Sequence, residues 1–285
     1  MAADRLTAYA RLPRAYRDRN VLHSTVDAFG RAHWLLREAR GPGDLYDAVI
    51  VTVEDGRAYE TYLASVRARF PKVDALPDGG FVVADSRRRK GDEHVQVFDP
   101  PGRPSWTFAV GDGIEHLLTD ESGNLWVGYF DEGVGDDPLS EPGLRCWSST
   151  GSPLWQHSST TSIDWILECY ALNVDRRAVW AYPYPDFPLL EVRDGRPATA
   201  RTTPVRSASA VVVHGSRVAF FGGYGDNQNR LVLGDLTETS VEPVEERRLL
   251  HPDGTGLARC RVVARGPRLY VQERPCVEWA VLDIS

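Results

Sequence analysis

Lysine is nearly missing from this chain of 285 residues: Lys72 and Lys90 are the only two, and arginine carries almost all the positive charge. That bias fits GC-rich coding better than any function. The four cysteines, Cys146, Cys169, Cys260 and Cys276, show no C-x-x-C spacing. This excludes the common zinc ligand patterns and a dense disulfide framework. No apolar run approaches membrane-spanning length, and the opening "MAADRLTAYARLPRAYRDRN" has no apolar signal core. A reduced, cytoplasmic setting away from membranes is therefore expected. A net charge of −7 and a pI near 5.5 argue against a broad basic surface for nucleic acid. There is no P-loop, no G-x-S-x-G and no H-E-x-x-H. Long helical patterns are also missing, which argues against a doubly wound α/β fold. The best helical candidate, "TYLASVRARF", reads equally well as a strand plus connection.

What is present is a recurring hairpin. "HSTVDAFGRAHWLL" from His23, "DALPDGGFVVA" from Asp74 and "HLLTDESGNLWVGYF" from His116 share one plan: apolar run, tight polar turn, apolar run. "YALNVDRRAVWAY", "SAVVVHGSRVAFF" and "CRVVARGPRLYVQ" repeat it. The turn markers Gly30, Gly79, Gly123, Arg176, Gly215 and Gly266 are separated by 49, 44, 53, 39 and 51 residues. Each unit has a second half of two strands around turns such as "EDG", "PPG", "STG" or "RDG".

Four antiparallel strands per unit of this length is the pattern of a β-propeller blade. The expected fold is all-β: one six-bladed propeller with blades near 20–68, 69–111, 112–160, 161–204, 205–253 and 254–285. The last unit is a strand short, and residues 4–13 are expected to supply its outermost strand and close the ring. The rival reading of that segment is an amphipathic helix for a partner.

"TDESGNLWVGYF", Thr119 to Phe130, resembles the repeat of two-component-regulator propellers and is similar to repeats of streptogramin lyase. The wider plan resembles the NHL-repeat and gluconolactonase group. The stretch "ECYALNV…VWAYPYPDFPLLEV" resembles propellers of GC-rich actinobacteria, a likeness that implies no activity. The gluconolactonase resemblance implies a divalent metal held by carboxylate and Asn side chains, a set that does not map onto this chain. The streptogramin-lyase resemblance implies a His-based acid/base and magnesium; His116 heads the matching repeat, and the rest of that pattern is not evident.

Aligning the units places Ser24, Asp74, His116, Tyr170, Ser209 and Cys260 or Arg261 at similar height on the first strands. A slip of one residue brings in His23, Cys169 and Arg259. A carboxylate beside an imidazole suits general acid/base work, so His116 and Asp74 are catalytic candidates, with Tyr170 as proton donor or oxyanion partner. The bland alternative is a wet channel. Loops leading into these strands add Glu115, Glu168, Arg206 and Arg259 as binding candidates. Joining loops carry a tyrosine and an acid each, at Tyr129, Tyr184 and Tyr224, and read either as a contact surface or as turn residues packing blade edges. In "DEGVGDDP", Asp131, Glu132, Asp136 and Asp137 can hold Ca²⁺ or form a solvated loop. Arg87, Arg88, Arg89 and Lys90 form a basic run suited to phosphate or simply exposed. Composition and pattern lead to a monomeric module for a small-molecule ligand or a protein partner. The alternative is a lyase or lactonase-type hydrolase, with Ca or Mg as its candidate metal.

Overall fold

The computed structural model describes residues 2–40, 45–89, 91–159 and 163–285. Lys90, the last member of the basic run, lies outside the described residues. The fold is all-β. Strands β1 (Ala2–Arg5) and β2 (Thr7–Arg11) precede runs of consecutive antiparallel strands, which the hydrogen bonds join into five sheets. The first contains β3 (Val21–Val26), β4 (Ala32–Arg40), β5 (Tyr46–Glu54) and β6 (Arg57–Val66). The second contains β7 (Pro71–Ala75), β8 (Phe81–Asp85), β9 (Val95–Phe98) and β10 (Pro104–Phe108). The third contains β11 (Ile114–Thr119), β12 (Leu125–Tyr129), β13 (Leu144–Trp147) and β14 (Pro153–Gln156), with the short helix α1 (Asp131–Asp136) between β12 and β13. These three sheets make one compact unit, Arg11–Ser158.

The second unit comprises Met1–Ala10 and Ser159–Ser285. Its first sheet is β15 (Glu168–Val174), β16 (Val179–Tyr184), β17 (Leu189–Val192) and β18 (Thr199–Arg201). Next comes β19 (Ala210–His214), β20 (Arg217–Phe221), β21 (Arg230–Leu236) and β22 (Val241–Leu250), with β1 added in parallel beside β22. The last is β23 (Cys260–Arg265), β24 (Arg268–Glu273) and β25 (Glu278–Asp283), completed by β2 beside β25. The N-terminal segment is thus a pair of strands among the described residues rather than a helix. A single parallel bridge, Asn173 to Ala264, joins β15 to β23.

One local device explains why so many hairpins form. In residues 27–31, 76–80, 99–103, 120–124, 148–152 and 251–255 the first N–H donates to the fifth carbonyl, and the fourth N–H donates back to the first carbonyl. This is a type I turn closed by a residue at positive φ, the geometry that demands glycine at its fourth position. Gly30 and Gly123 sit at φ 83° and 84°. The leading aspartate adds side-chain bonds. Asp120 Oδ1 accepts from Ser122 N and Asn124 N at 2.9 Å each, and its Oδ2 accepts from Asn124 Nδ2 and the Trp126 indole. Asp27 does the same for Phe29 N and Arg31 N and then reaches farther. Its Oδ2 meets Arg31 Nε at 2.7 Å and His33 Nε2 at 2.9 Å, while His33 Nδ1 contacts Thr52 Oγ1 at 2.9 Å. These contacts hold the Asp27 carboxyl near a pKa of about 2 despite its burial.

The sheets pack face to face within each unit, so central strands bury both sides. Strand β8 is buried throughout, whereas Pro104, Ser105 and Trp106 of the outermost β10 are exposed. Leu35, Ile50 and Leu63 of the first sheet pack with Val73, Phe81 and Phe98 of the second. Val82, Val95 and Val97 pack in turn with Leu117, Val127 and Trp147 of the third. In the other unit, Trp180 and Leu189 meet Val211 and Phe220, and Val212, Phe221 and Leu231 meet Leu269 and Val271. Buried amides fasten the first strands together: Asn173 Nδ2 donates to Val211 O and Gly266 O, and Gly266 N donates to Asn173 Oδ1.

Candidate functional site

Three of the first strands break register at the same place. Pairing shifts between Val21 and His23 in β3, between Ile114 and His116 in β11, and between Cys169 and Ala171 in β15. The residue skipped is Leu22, Glu115 and Tyr170 respectively. A bulge leaves an extra residue unpaired and redirects its side chain, which is how sheets commonly aim residues next to sites.

In the unit Arg11–Ser158, the catalytic candidates Asp74 and His116 lie on the strands β7 and β11. Asp74 is fully buried, and its Oδ2 accepts from Thr119 N at 2.6 Å and from Thr119 Oγ1 at 3.0 Å. Its Oδ1 accepts from Ala75 N at 3.0 Å. Thr119 Oγ1 also reaches Ala75 O at 2.6 Å. This carboxylate fastens β7 to β11 at Thr119, and the half-buried His116 lies three residues earlier on β11. Beside His116, Lys72 Nζ donates to the carbonyl of Glu115 at 2.7 Å, and the Glu115 side chain is exposed. Val73 N donates to His23 Nδ1 at 3.3 Å.

The sequence reading sets Tyr129 on a joining loop, as a contact residue or as one packing a blade edge; the structure makes it the last residue of β12, with no exposed surface, in line with the packing role. Its hydroxyl donates to Val110 O, and burial pushes its pKa well above the usual phenol range. Leu125, Val127 and Tyr129 alternate onto the same face and enter the same core.

The acidic loop is corrected in form: Asp131–Asp136 is a short helix. Its acids are used by the basic run. Arg87 Nη1 meets Glu132 Oε2 at 2.5 Å, Arg87 Nη2 meets Asp112 Oδ2 at 3.3 Å, and Arg88 Nη1 meets Asp137 Oδ2 at 2.5 Å. Among the described residues no group of three or more His, Cys, Asp or Glu is placed to hold a metal ion.

In the unit containing Ser159–Ser285, by contrast, the structure gathers several candidates. Phe187 is the hub. It is buried, holds a φ of 56°, and its N–H donates to Pro183 O at 3.0 Å. Tyr170 stands edge-on to it, with centroids 4.9 Å apart at 89°, and Tyr184 packs at 5.6 Å. Tyr170 also lies 6.0 Å from Tyr184 and 6.4 Å from Tyr224, and its hydroxyl hydrogen-bonds that of Tyr224. Arg206 stands over Phe187 with Cζ 6.0 Å from the ring centre. Its Nη1 donates to Thr203 O and Val205 O. Tyr184 is 37% exposed and Tyr224 69%, so the cluster presents ring faces to solvent. Burial, the Tyr224 hydroxyl and the charge of Glu168 push the Tyr170 pKa far above the usual phenol range. Tyr170 is therefore a hydrogen-bonding group and not a base near neutral pH. Arg259 is exposed just ahead of β23. Phe187 is the residue the sequence reading misses; an aromatic inside the proline-rich "YPYPDFP" is the one signal that could have found it.

Stacked four-stranded antiparallel sheets with this turn chemistry define a protein of the β-propeller type. The whole-chain comparison agrees: the structure is similar to virginiamycin B lyase from Staphylococcus aureus, with a TM-score of 0.51, 10% identity, and coverage of 97% of this chain and 98% of that one. It is also similar to the WD40 domain of Toxoplasma gondii coronin, with a TM-score of 0.50, 13% identity, and coverage of 94% and 67%. The resemblance to streptogramin-lyase propellers read from Thr119–Phe130 thus has a structural counterpart in fold. No protein-family profile matches the sequence, and the comparison with curated proteins finds no match.

Proposed function

We propose that this chain is a single six-bladed β-propeller whose outermost last strand is Thr7–Arg11, and that it works as a ligand-binding module. The blade reading is supported by the antiparallel strand groups β3–β6, β7–β10, β11–β14, β15–β18, β19–β22 and β23–β25, and by the place of β2 beside β25. The binding reading is supported above all by one observation: Tyr170, Tyr184 and Tyr224 gather on Phe187, with a hydroxyl pair between Tyr170 and Tyr224 and two partly exposed rings. Tyrosine offers apolar area with a polar handle at low entropic cost, which suits a small ring compound bearing hydrogen-bonding groups.

Acid/base chemistry through His116, Asp74 and Tyr170 has less support. Both Asp74 oxygens accept bonds inside the protein, which leaves that carboxylate engaged in holding β7 to β11. The test is a ligand-observed NMR screen of small ring compounds against the intact chain, repeated with Tyr224→Ala and Tyr170→Phe. Binders that both substitutions weaken support the reading; a set of binders indifferent to both overturns it.

A further inference from the structure

The charge around the tyrosine cluster narrows the ligand class, and this step rests on the binding reading above. Several arginines of the same unit are committed to acids: Arg201 to Glu191, Arg230 to Glu246, Arg247 to Asp4 and Glu245, and Arg268 to Asp283. Arg206 and Arg259 are the ones without such a partner that belong to the candidate site. Both are exposed, and neither forms an ion pair among the described residues. Arg206 is also held in place, because Nη1 donates to two backbone carbonyls and the guanidinium rests on Phe187. Its Nε and Nη2 carry no protein acceptor among the described residues. A fixed guanidinium with one free edge is suited to a planar carboxylate or a phosphate, since the ordering cost is already met.

Glu168 opposes an anion, and its charge acts on the Tyr170 phenol. It therefore favours a ligand that also carries a hydrogen-bond donor away from its anionic group.

We infer that the ligand is an anionic ring compound, with a carboxylate or phosphate paired to Arg206 and its ring laid against Tyr184 and Tyr224. The experiment uses benzoate, phenyl phosphate and uncharged benzyl alcohol as probes in ligand-observed NMR on the full chain, with Arg206→Gln, Arg206→Lys and Tyr224→Ala. The two anions should bind more tightly than benzyl alcohol. Arg206→Gln should weaken the anions about tenfold, as expected for a charge-assisted bond, and leave benzyl alcohol unchanged. Arg206→Lys should retain part of the anion affinity. The stronger of the two anions identifies the group. Equal binding of benzoate and benzyl alcohol, or benzoate binding indifferent to Arg206→Gln, overturns the anionic assignment while the ring site stands. Absence of binding by all three probes, or binding that survives Tyr224→Ala, removes the ring site and this inference with it.

Discussion

His94 should make the protein lose stability between pH 6.5 and 4, ahead of its carboxylates. The residue is 8% exposed, just before β9. Burial is the largest cause of its low pKa, and the Arg88 guanidinium adds to it; the carboxylates of Asp85 and Asp112 offset only part, leaving a value of about 4 against 6.5. The folded protein thus holds this imidazole neutral where the unfolded chain protonates it. Between those two values the unfolded state binds more protons, so unfolding free energy falls as pH falls. The shift of about 2.5 units corresponds to roughly 3 kcal/mol at full extent, of which about 1.4 kcal/mol is already lost at pH 5.5. Asp27, held near 2, acts in a separate window: its contribution is present above pH 3.8 and disappears as pH falls toward 2.

The assay is urea unfolding of the wild type and of His94→Gln at pH 7, 5.5 and 4.5. The quantity compared is the change with pH and not the stability itself, so any fixed cost of the substitution cancels. His157, also buried and also pushed below its ordinary pKa, titrates in both proteins and cancels as well. Between pH 7 and 4.5 the wild type should lose about 2.5 kcal/mol more than the variant. Equal losses, within about 0.5 kcal/mol, would refute the claim that His94 is held neutral by its surroundings.

Other sites give sharper structural tests. Asp27→Ala strands His33 and Arg31 beside a vacated buried position and should cost about 3 kcal/mol in chemical denaturation; a loss under about 1 kcal/mol would mean that the chain Asp27–His33–Thr52 is not a unit. Tyr129→Phe removes only the hydroxyl bonded to Val110 O and should cost about 1 kcal/mol, leaving probe binding at the tyrosine cluster unaltered, as a core residue should. Millimolar Ca²⁺ or Mg²⁺ should leave Tm unmoved, because Glu132 and Asp137 are paired with Arg87 and Arg88; a rise in Tm that Asp137→Asn abolishes would show a cation site there.

How much of this was legible in the sequence follows from range. Asp-x-x-Gly turns are local: Asp120, Gly123, Asn124 and Trp126 lie within seven residues, and every bond among them closes inside that stretch, so the hairpin can be read from the string. The alternation that buries Tyr129 was equally local, since Leu125, Val127 and Tyr129 fall on one face; reading the tyrosine as a loop residue lost that signal. Asp74 is a harder case. Its partner is 45 residues away, and a carboxylate that accepts Thr119 N looks, in one dimension, like any acid near a channel.

The tyrosine cluster shows the same limit from the other side. Tyr170, Tyr184 and Tyr224 were each visible, but their convergence depends on a bulge between Cys169 and Ala171 and on a Phe187 backbone at positive φ. Neither has a residue signature: phenylalanine disfavours that φ, and the bulge carries no glycine to mark it. A non-glycine residue persists there only when its surroundings compensate for the strain, and at Phe187 the surroundings are Tyr170, Tyr182, Tyr184 and Arg206. Local preference is therefore broken in the same small region where exposed rings and an uncommitted arginine meet. Sequences tend to violate their own local rules at functional positions, so the misfit at Phe187 is a reason, independent of ring exposure, to look for the ligand there.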